Sequence, residues 1–62
     1  MYRIKCSNGK YVNKTTYGNF ITYTKNGKIF HSLNLVNKNL DLCEEHEEFY
    51  KKGLTYELET IR

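Results

Sequence analysis

The chain predicts a small α+β domain: an antiparallel sheet, strongly twisted or barrel-like, with one α-helix packed on it in the order β-β-β-β-α-β. Two Asn-Gly pairs, Asn8-Gly9 and Asn26-Gly27, each sit between alternating segments, and Asn-Gly is the strongest short-range hairpin signal. From Asn39 onward the apolar period becomes helical. Residues 54–61 then return to strict alternation, which is the pattern of a half-buried strand.

A type I′ turn needs positive φ at both central residues, which Asn tolerates and Gly adopts without penalty. Pairing outward from Asn8-Gly9 sets Cys6 opposite Tyr11, Ile4 opposite Asn13 and Tyr2 opposite Thr15 on one mostly apolar face. The other face of this first hairpin carries Arg3, Lys5, Lys10, Val12 and Lys14. The second hairpin pairs Tyr23 with Phe30, Ile21 with Ser32 and Lys25 with Lys28. Tyr17-Gly18-Asn19 is the expected turn between the hairpins.

Asn39 is the expected helix cap, with Asp41 in the first turn and Gly53 at the exit. Leu42, Cys43, His46, Phe49 and Tyr50 form the apolar stripe, opposite Asp41, Glu44, Glu45, Glu48, Lys51 and Lys52. Acids lead and lysines close, in agreement with the helix dipole, and Glu47–Lys51 and Glu48–Lys52 are expected i,i+4 pairs. In the last strand Leu54, Tyr56 and Leu58 face inward, while Thr55, Glu57 and Glu59 face outward.

Sixty-two residues make one domain, 1–62, of a size that buries only about 60% of its unfolded surface. Six Tyr and three Phe supply bulk to so small a core. No apolar run approaches the roughly 20 residues that cross a bilayer, and the first five residues alternate, so a cytoplasmic protein without a membrane partner is expected. Cys6 and Cys43 are expected as buried thiols rather than a bridge. The wealth of Asn, Lys and Tyr, with no Pro or Trp, resembles in composition the small accessory proteins of phages and other mobile elements.

Charge is segregated along the chain. Residues 1–40 hold Arg3, Lys5, Lys10, Lys14, Lys25, Lys28 and Lys38 and no acid, whereas all seven acids lie in 41–62. A split this complete predicts two surfaces of opposite sign, or an acidic element laid against a basic one.

Enzymatic activity is not expected. The four Gly residues have turn or cap roles, so no phosphate-cradling loop is present, and His46 lacks the second His of a zincin helix because position 50 is Tyr. Cys43 and His46 share a helix face, but no third group is identifiable to orient them as nucleophile and base. Cys6, His31, Cys43 and His46 lack the paired spacing of a zinc site, so no metal or other cofactor is expected.

A protein without catalytic apparatus acts by contact. The acidic helix surface, Asp41, Glu44, Glu45 and Glu48, with Tyr17 and Tyr50 as aromatic anchors, is the expected protein-binding site. Rows of carboxylates can imitate nucleic-acid phosphates, so the expected partner is a host enzyme, such as a nucleic-acid enzyme of a defence system, inhibited by direct contact. The alternative is a nucleic-acid-binding module using Arg3, Lys5, Lys10 and Lys14. That surface is neutralised if the last strand pairs beside the first, because Glu57 and Glu59 then lie across from Lys5 and Arg3. A homodimer formed through an open sheet edge is a third expectation.

Overall fold

The computed structural model describes residues 1–16 and 20–62, so the expected turn at Tyr17-Gly18-Asn19 lies outside the described residues. The elements are β1 (Tyr2–Cys6), β2 (Tyr11–Thr16), β3 (Phe20–Thr24), α1 (Leu33–Tyr50) and β4 (Tyr56–Thr60). The strands form one antiparallel sheet in the order β3-β2-β1-β4. This is the expected α+β class, but three strands precede the helix where four were expected. The sheet is open, with β3 and β4 at its edges.

The first Asn-Gly turn forms, one residue out of the expected register. Positive φ occurs at Gly9 (87°) but not at Asn8, so a type I′ turn is not made. Instead the Gly9 N–H donates to the Cys6 carbonyl at 3.1 Å and the Cys6 N–H to the Lys10 carbonyl at 2.9 Å, enclosing a three-residue loop. Asn8 Oδ1 accepts from the Lys10 N–H, which fixes the loop. Lys5 therefore faces Tyr11. A slip of one residue turns β2 over. Val12, expected on the basic face, is 1% exposed in the core, and Tyr11 moves to the opposite face. Burying Val12 beside Ile4 outweighs the alternative, which would set the Asn13 amide against Ile4. A bulge between Val12 and Lys14 then resets the strand, leaving Lys14 exposed and bringing Thr15 beneath the helix.

The second Asn-Gly does not make a hairpin. Gly27 has φ 71°, its N–H donates to Thr24 Oγ1 at 2.8 Å, and the chain crosses against Tyr11. Residues 28–30 wedge between β1 and β2. The Lys28 N–H donates to the Val12 carbonyl at 3.0 Å, and Phe30 exchanges both backbone hydrogen bonds with Tyr2, at 2.7 and 2.8 Å. The expected pairs Tyr23–Phe30 and Ile21–Ser32 are absent because Phe30 is drawn into the core, where it is 4% exposed.

The helix is capped seven residues before the expected Asn39. Ser32, in extended conformation, is the N-cap, and its Oγ accepts from the Leu35 N–H. Asn39 lies inside the helix, donating to the Leu35 carbonyl at 2.8 Å and accepting from Thr15 Oγ1 at 2.6 Å. The exit is Lys51, in the left-handed region at φ 51°, not Gly53. With these bounds Asp41 sits mid-helix, and neither an acid in the first turn nor a base in the last serves the dipole. The expected ion pairs Glu47–Lys51 and Glu48–Lys52 do not form, since Lys51 has left the helix and Glu47 Oε2 accepts from the Gly53 N–H at 2.7 Å.

The inward stripe is also displaced by the earlier start. Val36, Leu40, Cys43 and Glu47 recur at i, i+4, i+7 and i+11, with Val36 and Cys43 fully buried. Ile4, Val12, Phe30, Val36 and Cys43 form the core, edged by Tyr2, Ile21, Tyr23, Leu40, Tyr56 and Leu58. The helix packs mainly on β4, β1 and β2.

Candidate functional site

The outward face of α1 carries the expected protein-binding acids. Asp41, Glu44, Glu45 and Glu48 are all exposed, and no ion pair with another described side chain holds them. Asp41, Glu45 and Phe49 fall on one i, i+4, i+8 line, with Glu44 and Glu48 on a neighbouring line. Phe49, expected in the core stripe, is instead 76% exposed at the end of the acidic row. Its ring meets Tyr50 edge-on at 4.9 Å, and the Tyr50 ring lies 4.5 Å from that of His46. Tyr50 is 42% exposed, and Lys52 Nζ lies 5.6 Å from its ring centre. Tyr17, the other expected anchor, lies outside the described residues.

Phe49 escaped sequence reasoning because the helical stripe was anchored on Leu42 rather than on Val36. Starting the helix at Ser32 and following Val36, Leu40 and Cys43 puts Phe49 on the side turned away from the core, in line with Asp41 and Glu45, so the Ser32 cap was the signal that located it.

The sheet face away from the helix holds the other candidate surface. β4 pairs beside β1 with Arg3 opposite Glu59 and Lys5 opposite Glu57, the arrangement under which the basic hairpin is neutralised. Arg3 Nη2 lies 2.6 Å from Glu59 Oε1, and its guanidinium stacks 3.8 Å above the Tyr11 ring. The Tyr11 hydroxyl donates to Glu59 Oε2 at 3.1 Å and accepts from Arg3 Nη2 at the same distance. The Arg3 hydrogen bond, helped by that of Tyr11, holds the Glu59 carboxyl below the usual carboxylate range. Of the four expected phosphate-binding residues, Arg3 is thus committed to an internal network and Lys5 faces an acid. Lys10, in the loop just before β2, and Lys14, within it, remain exposed at separate places.

Both cysteines are free and buried. Burial pushes the Cys43 thiol up to about 12, so it stays protonated and out of reach of a substrate near neutral pH. Among the described residues no three His, Cys, Asp or Glu side chains converge as metal ligands. A cleft of about 220 Å³ lined by Lys5, Cys6, Ser7, Thr55 and Glu57 opens between β1 and the approach to β4. No described helix is long and apolar enough to cross a membrane.

Compared with known proteins, the chain matches no family model, no curated relative and no solved structure.

Proposed function

We propose that this is a non-enzymatic protein-binding domain whose contact surface is the outward face of α1. The observation that carries the reading is Phe49, 76% exposed at the end of a row of carboxylates that no described cation neutralises. A large aromatic group left in water beside Tyr50 is the composition of an interface anchor, and the acids around it form a charged rim. The chemistry it fits is an apolar pocket bordered by Lys and Arg on another protein. A basic groove that normally holds nucleic acid has that character, and the composition of the chain agrees with a mobile-element protein that occupies such a groove on a host enzyme.

The test is co-purification from the native host cell with wild type, Phe49→Ala, a Glu44→Gln/Glu45→Gln/Glu48→Gln triple variant, and Lys14→Gln as a control on the other side of the sheet. A protein retained by wild type and the control, and lost with both helix variants, supports the reading. A set of bound proteins that neither helix variant alters overturns it.

A further inference from the structure

The helix carries a second apolar line that the core does not use. Leu35, Leu42 and Phe49 recur every seven residues of α1. That spacing keeps them within about 40° of one another round the helix. The line runs along the side of Phe49, apart from the inward stripe of Val36, Leu40, Cys43 and Glu47. Leu35 is 48% exposed, Leu42 is half-buried, and Phe49 is the most exposed of the three. A single exposed apolar residue is ordinary, but three in line along one helix make a ridge that another helix can pack against.

The charges beside the line decide what covers it. Lys38 and Glu45 lie seven residues apart on one flank of it. Both are exposed, and neither pairs with a described side chain. A second copy of α1 set antiparallel to the first, with the two-fold axis at Leu42, satisfies both patterns at once. Leu35 lies seven residues before that point and Phe49 seven after it. Each Leu35 then meets the Phe49 of the other copy, and the two Leu42 side chains meet each other. Lys38 lies four residues before Leu42 and Glu45 three after it. The mismatch is one residue, about 1.5 Å along the axis, so each Lys38 stands beside the Glu45 of the other copy. A parallel pair would instead set Lys38 against Lys38 and Glu45 against Glu45. Apolar and charge patterns are thus self-complementary under one operation, as an isologous interface requires. Glu44 and Glu48 lie well round the helix from this line and stay in water.

We infer that in the free protein the Leu35, Leu42 and Phe49 line is covered by a second copy of the chain, α1 packing antiparallel on α1. The inference rests on the reading of the outward face of α1 as a contact surface, and it names the chain itself as the occupant that a basic partner displaces. The contact is confined to one helix face about 20 Å long, so the dimer belongs to the small, weak class of interfaces and dissociates on dilution. The sheet edges take no part in it.

The experiment is sedimentation equilibrium of the purified full chain from about 20 μM to about 1 mM, the range in which a weak interface assembles. It compares wild type, Leu42→Glu, Lys38→Glu, Glu45→Lys, the Lys38→Glu/Glu45→Lys exchange, and an equimolar mixture of the two single charge variants. Circular dichroism checks the fold of each. Wild type should pass from one chain to two as concentration rises, and Leu42→Glu should remain single. Each single charge variant should dissociate about tenfold more readily, because two attractions become two repulsions. The exchange and the mixture should both recover the wild-type affinity, since each again sets a lysine beside a glutamate. The inference is overturned if wild type stays a single chain throughout, if a folded Leu42→Glu dimerises as wild type does, or if neither the exchange nor the mixture recovers what the single variants lose. A wild type that stays single leaves the host-protein reading to its own co-purification test. Helix variants that alter no bound protein in that test overturn the host-protein reading and leave the sedimentation result standing.

Discussion

The hydroxyls of Tyr23 and Tyr56 meet at 2.6 Å, joining β3 to β4 although these strands are the opposite edges of the sheet. The contact means that the open sheet curls around its helix-facing side until its rims touch through two phenols. Removing one hydroxyl leaves the other half-buried without its partner. Tyr56→Phe should therefore lower stability by about 1 kcal/mol in urea unfolding, and Tyr23→Phe by a similar amount. The double variant should cost clearly less than the two together, and strict additivity would show that the bond contributes nothing.

The same region governs alkaline stability. Burial raises the Tyr56 phenol above its ordinary value and the Cys43 thiol from 9.0 to about 12. Both groups bind their protons more tightly when folded, so their contribution is complete below the unfolded values and is lost as pH rises through the folded ones. The midpoint of thermal unfolding should accordingly fall from about pH 9 upward. Cys43→Ala should flatten part of that fall while lowering the midpoint at neutral pH through the cavity it leaves. An alkaline profile that Cys43→Ala leaves unchanged in shape would remove Cys43 from the account.

On the acid side the sensitive group is Glu59. Its folded value is lowered by Arg3 and Tyr11, so its contribution is present above the unfolded value near 4.5 and disappears as pH falls through the folded one. Glu59→Gln should reduce the loss of stability between about pH 5 and 2.

Gly9 and Gly27 both have positive φ, but their surroundings differ. A Cβ at Gly9 meets nothing within 4 Å, whereas at Gly27 it strikes the Tyr11 side chain. Gly9→Ala should cost about 1 kcal/mol of backbone strain, and Gly27→Ala more than about 2 kcal/mol, because the crossing segment must move. Comparable urea midpoints for the two variants would contradict the close approach.

Phe49 provides the complementary case. Ile4→Ala should remove about 3 kcal/mol because Ile4 is fully buried, while Phe49→Ala should change stability by less than about 0.5 kcal/mol. A large loss on Phe49→Ala would show that its ring supports the fold, and the interface reading of α1 would fail with it.

Much of the architecture was legible because local chemistry and global packing agree there. The final strand alternates cleanly, and its acids meet Arg3 and Lys5 once it lies beside β1, so even the neutralisation of the basic hairpin could be anticipated as a conditional. The helix was legible in kind but not in extent. Ser32 and Val36 are ordinary capping and stripe residues in an Asn-rich stretch, and Asn39 offered a competing cap whose side chain is instead used by Thr15.

What the sequence by itself determined is the α+β class, the chain reversal at each Asn-Gly and the segregation of charge. These follow from backbone preferences and residue order, which are local. Tertiary structure alone decided the register of β2 and the passage of residues 28–30 between β1 and β2. The physical reason is competition for a small core. Val12 and Phe30 gain more from burial beside Ile4 than a two-residue turn or a second hairpin gains from ideal geometry, and no window of sequence contains both sides of that balance.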